Sequence, residues 1–387
     1  MRNIFTILVV LFPILSVYSS GIPNMSTADL LLIFVVPLIL LEKFINNHRV
    51  ITRYIKILRP ICIFLLYLGV TLCIQVMIES QVEVLSTIRF MLYIIALIIG
   101  VEMFNFKLGL KILKYVTIII SIYTILQFTV FMLFHTTLPW RIPGLVIMDS
   151  NFIAKEMSEY YLLFYRPTGI FLEPTHLVQY IYVYLIYSLF SIQLNYKEAL
   201  LISVAIVVSG SSLGMIVLLL IWGIWLLSVI GKKRILKKHI IIAIVIGSIV
   251  VVSIPYLLNL PYISKIFTRV IGDGSLNGAA VGYRFDSLTV VLDSNMPFIY
   301  RLIGYGRGTN TVYMTGIPYL IYCNGIIGLI IYLWIIGISI LKNRGFFKIL
   351  AIVVLFTSIG SEMIINFGIL FYMMFIYQGY KKGNYKV

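Results

Sequence analysis

Charged residues are scarce in this chain, and their scarcity excludes a water-soluble fold. Only 11% of the 387 residues are Asp, Glu, Lys or Arg, whereas 61% are hydrophobic and the mean hydropathy is +1.05. So few polar groups cannot cover the surface of a soluble protein of this length. Apolar runs of about 17–25 residues recur instead, each long enough to cross a bilayer core of about 30 Å. The composition therefore predicts an all-α, polytopic membrane protein.

Metal-ligand clusters and common metalloenzyme signatures are also missing. The three cysteines, Cys62, Cys73 and Cys323, lie inside apolar stretches, as small core residues do, and their spacing indicates neither a disulfide framework nor a metal site. The sequence contains no His-Glu-x-x-His motif and no Asp-x-Asp motif. These absences argue against a zinc protease and against a metal-dependent nucleotide-sugar transferase. We therefore expect no metal and no other cofactor.

The basic residues follow the pattern of a membrane protein. The net charge is +16, but most basic residues lie in short loops between apolar runs. There they set a cytoplasmic orientation and do not indicate nucleic-acid binding. The layout predicts one membrane domain, 1–387, with about twelve transmembrane helices and both termini in the cytoplasm. A signal peptide is the alternative for the first span. The predicted spans are 3–19, 28–42, 60–78, 88–105, 115–134, 175–193, two short spans within 199–230, 239–257, 317–341, 347–361 and 363–380.

Two long segments, about 135–174 and about 258–316, fall on the outer side in this layout and are expected to form the active-site face. Their basic residues are mostly arginines, whereas lysine dominates on the inner side. The guanidinium fork matches phosphate in a bidentate way, so this bias predicts an anionic outer ligand such as a diphosphate. Loop solubility and contacts with anionic lipid are the alternative. The outer arginines are Arg89, Arg141, Arg166, Arg269, Arg284, Arg301 and Arg307.

The stretch Tyr165–Tyr180 places an arginine and a glutamate at the edge of a long apolar helix. Pro174 suits the first helical position, and Glu173 precedes it at the positive end of the helix dipole. A helix start explains this pair, and the open question is whether Arg166 and Glu173 also take part in chemistry. His176, in the first helical turn, is either a packing residue or a catalyst.

Other residues allow similar alternatives. Tyr165 can stack on a sugar ring or belong to an interfacial aromatic belt. The glycines Gly304 and Gly306 flank Tyr305 and precede Arg307, so backbone amides there can approach an anion, although a plain turn also explains them. Arg141 and Arg301 are further candidate ligands for a phosphate group.

Four segments resemble one enzyme family. Arg166–Pro174 resembles the Arg-Pro-Ser/Thr-Gly-x-Phe-x-Glu-Pro signature of O-antigen polymerases of the Wzy type. Ser209–Gly214, Ile303–Gly306 and Asn324–Leu329 resemble later segments of the same family. The related O-antigen ligases carry a functional histidine just before the span that begins near Gly-Ile-Ile-Gly. The stretch Met314–Leu320 has no histidine, which favours a polymerase over a ligase.

The resemblance implies a metal-independent glycosyltransferase of the bacterial cytoplasmic (inner) membrane. It would transfer a growing glycan, O-antigen or capsule, from undecaprenyl diphosphate to the next lipid-linked repeat unit at the outer face. Its partners would be the lipid-linked oligosaccharide, the bilayer, the flippase of the pathway and a chain-length regulator. Arg166, Arg284 and Arg307 would bind the diphosphate, and Glu173 would act as base or position the acceptor.

Two alternatives to a polymerase remain at this point. One is a ligase, and the other is a flippase or transporter, which usually shows internal repeats and polar groups at the middle of the membrane. No internal repeat is visible in the sequence. The residues do not indicate which glycan or which linkage is involved.

Overall fold

The computed structural model is helical nearly throughout its described part. It describes residues 1–45, 55–78, 82–148, 165–191, 194–230, 287–289, 291–292, 296–309 and 314–381. Within these ranges, the only extended pairings are two isolated bridges, Tyr18 with Ile147 and Ser19 with Ser26. The helices are α1 Arg2–Leu15, α2 Thr27–Ile45, α3 Ile55–Met77, α4 Val84–Gly100, α5 Phe106–Phe134, α6 Pro174–Phe190, α7 Tyr196–Val208, α8 Ser212–Ile230, α9 Phe298–Ile303, α10 Gly316–Lys342, α11 Gly345–Gly360, a 3₁₀ turn Glu362–Ile364, and α12 Gly368–Lys381.

Several helices have the length and apolarity of membrane spans. Four of them are long enough by themselves: Ile57–Met77, Phe106–Phe134, Ser212–Val229 and Gly316–Lys342. Shorter apolar helices include Arg2–Leu15, Val84–Gly100 and Gly345–Gly360. This set is compatible with a multi-pass membrane protein. The predicted span 239–257 lies outside the described residues, and the count of twelve spans stays a prediction.

Contacts between helix termini define two ends of the bundle. At the end that holds Glu173, the amide of Glu83 before α4 donates to the carbonyl of Arg307 at 2.9 Å. At the other end, which we call the lysine end, Lys43 near the end of α2 donates to the carbonyl of Ile99 near the end of α4 at 3.0 Å. The termini of α1, α5 and α12 also meet at the lysine end, through Asn105 with Thr6 and Gln378 with Val101.

Helix α6 is central to the packing because nearly all its residues are buried. Its aromatic side chains stack on α12, with Tyr180 on Phe371 at 5.3 Å and Tyr182 on Tyr372 at 5.9 Å between ring centroids. The hydroxyl of Tyr372 donates to the carbonyl of Gln179 at 2.9 Å. The Arg166–Glu173 motif therefore leads into the most enclosed long helix of the described part.

The apolar run 199–230 forms a helical hairpin, with the break where the serine and glycine residues predict it. Gly210 has a φ of 62°, which suits a turn residue without a Cβ. Trp222 donates to Ser203 at 3.0 Å and Trp225 packs edge-on against Tyr196, so α7 and α8 run antiparallel. The stretch Gly210–Gly214 also matches the Gly-x-Ser-x-Gly spacing of a nucleophile elbow. An elbow follows a strand, whereas this stretch follows a helix, so it is not such an elbow.

Helix α10 is interrupted where the sequence predicts one continuous span. Gly325 has φ 65° and ψ −175°, which are not helical. The carbonyls of Tyr322 and Cys323 instead accept the amides of Tyr305 and Gly306, at 2.8 Å and 3.1 Å. The hydroxyl of Tyr67 donates to the carbonyl of Asn324 at 2.5 Å. The segment after α9 thus pairs with the break in α10.

Candidate functional site

Glu173 stands at the start of α6, as the sequence predicts. Its backbone is extended (φ −128°, ψ 149°), and Pro174 takes the first helical position. The Glu173 side chain makes no capping hydrogen bond to the helix amides and is partly exposed. The predicted helix start is therefore confirmed, and this carboxylate is not used to cap the helix.

The motif glycine holds the segment before α6 against α5. Gly169 has a φ of +64°, and its amide and carbonyl both bond to the side chain of Gln127, at 2.9 Å and 3.0 Å. A Cβ at this position would lie 3.0–3.4 Å from Ile120, Thr124 and Leu177. Only glycine combines this backbone with this close approach.

Two tyrosines fix the same segment from either side. Tyr165 is buried and stacks on Phe131 of α5, with ring centroids 4.5 Å apart. The hydroxyl of Tyr18 accepts the amide of Ile142 at 3.0 Å and donates to the carbonyl of Ile170 at 3.4 Å. Burial raises the pKa of Tyr18 and the Ile142 amide lowers it, with burial the larger influence. Tyr18 therefore stays a neutral donor and joins the motif to the segment that carries Arg141.

Arg307 is the most deeply buried cation of the candidate site, with a relative exposure of 1%. Its guanidinium lies 3.5 Å from the ring centroid of Phe90 on α4. Its two terminal nitrogens donate to Asn366 at 3.5 Å and to the carbonyl of Ile365 at 3.4 Å, both long for hydrogen bonds. Within the described ranges, its Nε has no hydrogen-bond partner and no carboxylate lies within 4 Å of it. A buried charge in this state is costly unless an anion accompanies it.

The short turn between α11 and α12, residues 361–367, connects Arg307 to α6. Ser361 donates to the side chain of Gln179 at 3.2 Å, and the ring of Phe367 packs edge-on against His176 at 6.0 Å. Asn366 in the same turn contacts Arg307. The Glu173 helix and the buried arginine thus meet on one turn, at one end of the bundle.

This region also contains buried polar atoms that lack hydrogen bonds in the part of the chain that the structure describes. They include Nδ1 of His176, Nε2 of Gln179 and Nε of Arg307. Buried polar groups normally find a partner in the protein, in water or in a ligand. The clustering of such atoms around one turn marks it as the best candidate for a polar ligand.

The remaining predicted residues lie elsewhere or are engaged within the protein. Arg301 on α9 donates from Nε to the carbonyl of Met296 at 2.9 Å. Arg141 is exposed and, with Trp140, lines a cavity of about 870 Å³ formed by residues 137–146. Arg284 lies outside the described residues, so its role stays a prediction.

Gly304 and Gly306 have positive φ values of 79° and 98°. Their amides donate to the carbonyls of Tyr300 and Cys323. A Cβ on Gly304 would lie 2.3–2.5 Å from backbone atoms of α10. This geometry gives both glycines a packing role at the α10 break, and their amides are not directed at an anion.

The sequence interpretation missed the other members of this site. Gln179 and Asn366 carry the polar contacts of α6 and of Arg307, and Phe90 supplies the ring beneath the guanidinium. An amide side chain inside an apolar helix was the available signal for Gln179. Among the described residues, no group of three or more His, Cys, Asp or Glu could hold a metal ion.

Comparison with known proteins yields no relative. No family model matches the chain, and neither a curated protein nor a solved structure is similar enough to count as a match. The motif and the geometry around Arg307 are therefore the features that point to a function.

Proposed function

We propose that this protein is a polysaccharide polymerase that transfers a growing glycan from a polyprenyl diphosphate carrier to the next lipid-linked repeat unit. The observation that carries the proposal is Arg307, a buried cation with no carboxylate partner among the described residues. It lies at the same end of the bundle as Glu173. The resemblance of Arg166–Pro174 to the polymerase signature supplies the substrate class.

The diphosphate leaving group supplies an anion for Arg307, which has no carboxylate partner among the described residues. Exchange of the 3.4 Å and 3.5 Å contacts of Arg307 for diphosphate oxygens replaces weak hydrogen bonds by charge-assisted ones. Each such bond contributes about 1.5–3 kcal/mol. Arg166 and Arg284 complete the diphosphate site in this proposal. Stabilising the charge that develops on the leaving group is usually the largest single catalytic effect.

The transfer step uses Glu173 as the base. The acceptor sugar hydroxyl attacks the anomeric carbon of the donor glycan and forms the new glycosidic C–O bond. The anomeric C–O bond to the carrier breaks, and its electron pair leaves with the diphosphate. The hydroxyl proton passes to the Glu173 carboxylate, which makes no capping hydrogen bond. His176 and Gln179, whose buried nitrogens lack partners among the described residues, line the sugar side.

The proposal includes a topology. Few of the described basic residues lie at the Glu173 end, among them Arg89, Arg166 and Arg307, whereas most of them, including Lys43 and Lys107, lie at the opposite end. The positive-inside rule then places the lysine end in the cytoplasm and the Glu173 end outside. With about twelve spans, both termini are cytoplasmic. The resemblance to the polymerases implies that the membrane is the bacterial cytoplasmic membrane. A flippase and a chain-length regulator are the expected partners.

The size distribution of surface polysaccharide in cells that lack this protein tests the function. A polymerase predicts single repeat units at the surface and no ladder of longer chains. Polymer retained on its lipid carrier, with no glycan transferred, would identify a ligase instead. Single lipid-linked units trapped inside the cell would identify a flippase and would overturn the assignment of the arginines.

A further inference from the structure

A second polar cavity lies at the lysine end, far from Glu173 along α6. It has a volume of about 430 Å³ and opens between the start of α5, the end of α6 and the start of α7. Because these are helix termini, the cavity is at the level where lipid phosphates lie if the helices span a membrane. Its polar lining includes Lys107, Lys111, Lys114, Tyr187, Ser191 and Asn195.

The lysines give this cavity an excess of positive charge. Lys107, Lys111 and Lys114 are spaced by four and three residues, which places them on one face of α5. Lys114 pairs with Glu198 at 2.5 Å, and Tyr184 donates to the same carboxylate. Lys107 and Lys111 are exposed and have no carboxylate within 4 Å in the described part of the chain.

The position of these lysines on α5 is unfavourable without an anion. Both Lys107 and Lys111 lie in the first two turns of α5, next to the positive end of its dipole. The start of α7, capped by Asn195, opens on the same cavity. An anion bound here would interact with two lysines and with the positive ends of two helices.

An exposed apolar stripe continues from the cavity along α5. Tyr115, Ile119, Ile122 and Leu126 follow Lys111 at helical spacing and are 48–65% exposed. A basic cavity beside a long apolar surface suits an amphiphile, which has a charged head and hydrocarbon chains, better than it suits a free anion.

We propose that this cavity binds the phosphate headgroup of an anionic phospholipid, whose acyl chains lie on the α5 stripe. Lys107 and Lys111 bind the phosphodiester, and the hydroxyl of Tyr187 and the amide of Asn195 bind its glycerol oxygens. Basic cavities between helices at the cytoplasmic face are typical sites for anionic headgroups. This site is separate from the proposed polymerase site and does not depend on it.

Native mass spectrometry of the purified protein tests the proposal. The wild type is titrated with phosphatidylglycerol and with phosphatidylcholine, alongside K107Q/K111Q and the control K342Q/K348Q. The control removes two exposed lysines at the same end of the bundle that do not line the cavity. We expect K107Q/K111Q to bind phosphatidylglycerol roughly thirtyfold more weakly, while the control binds like the wild type. K107R/K111R should restore most of the affinity.

Three results would overturn the proposal. One is equal binding of the two lipids by the wild type, and another is the same loss of affinity in both double variants. The third is displacement of phosphatidylglycerol by excess inorganic phosphate, which would show that the cavity binds phosphate without needing acyl chains. An unchanged thermal midpoint of K107Q/K111Q shows that the lost binding is not caused by lost folding. If that midpoint falls, the binding of K107R/K111R, which keeps both positive charges, decides instead.

Discussion

The guanidinium of Arg307 lies 3.5 Å from the centroid of the Phe90 ring, and this pair connects the segment after α9 to α4. An arginine over an aromatic face gains cation–π attraction, which strengthens when the site is shielded from water. The arrangement holds the cation in place, and no carboxylate among the described residues lies within 4 Å to neutralise it. Arg307 is positioned by a ring, an amide side chain and a carbonyl.

Replacement of Arg307 by methionine separates function from stability. R307M keeps an unbranched side chain over Phe90 and removes a buried charge, so the thermal midpoint should stay the same or rise. The rate of glycan transfer should fall about 100- to 1000-fold, as expected when a group that stabilises developing charge is lost. Thermal melts in detergent and the polysaccharide ladder measure the two effects.

The control variant is R89Q, which removes an arginine that pairs with Asp29 and should leave the ladder intact. Loss of the ladder in R89Q as well as in R307M would contradict a specific role for Arg307.

Glu173 directly precedes α6, and Asp29 lies in the first turn of α2 at the same end of the bundle. Of these two carboxylates, only that of Asp29 caps its helix. Asp29 accepts the Ser26 amide at 3.0 Å, and Ser26 accepts the Asp29 amide at 3.1 Å, which is a capping box. Tyr93 also donates to Asp29. D29A should therefore lower the free energy of unfolding by about 2–4 kcal/mol.

E173Q, in contrast, should leave the stability unchanged because Glu173 makes no capping bond. It should reduce transfer about 100-fold or more through loss of the base. Thermal melts and the ladder in cells that contain each variant check both expectations. An E173Q protein that inserts normally and keeps full activity would remove the base assignment.

The break in α10 depends on Gly325. A Cβ there would lie 2.1 Å from the carbonyl oxygen of Leu302, and the φ of 65° adds backbone strain. G325A should destabilise the protein by about 3 kcal/mol or more. G337A in the same helix is the matched control, since nothing lies within 4 Å of its Cβ position. It should be neutral or stabilising by up to about 1 kcal/mol. Equal melting temperatures for the two variants would contradict a break in α10 that depends on Gly325.

Tyr67 supports the same break from α3. Its hydroxyl donates to the carbonyl of Asn324 at 2.5 Å and also lies 3.4 Å from that of Leu302. Y67F would leave these carbonyls without that donor and should cost about 1–3 kcal/mol of stability. Y115F, at an exposed tyrosine of α5, should cost almost nothing. Chemical unfolding in detergent measures the difference, and equal costs would argue against the Tyr67 bonds.

The sequence predicts the helices of this fold well but not how they are broken and joined. Apolar length and the serine-glycine run are local signals, so the start of α6 and the α7–α8 hairpin could be foreseen. The break in α10 could not. Asn324-Gly325 is compatible with a continuous span, and the chain departs from the helix there because Tyr305 and Gly306 bond to its carbonyls from outside the helix.

The candidate site, too, is predicted by the sequence only in part. Charge scarcity is enough to select Arg166 and Glu173 as unusual residues, and the arginine bias of the outer segments selects Arg307. The ring of Phe90 and the 361–367 turn come from other parts of the chain, and no local pattern connects them to Arg307. For Gly304 and Gly306 the sequence leaves both a plain turn and an approach to an anion open, because sequence alone does not show where their amides donate.

A reconstituted reaction tests the proposed function most directly. The purified protein is placed in liposomes with lipid-linked repeat units, and the glycan length and the released polyprenyl diphosphate are measured together. For a polymerase we expect chains that lengthen with time, one carrier diphosphate released for each bond formed, and loss of both in R307M and E173Q. Repeat units that cross the bilayer without lengthening would contradict it and would identify a transporter.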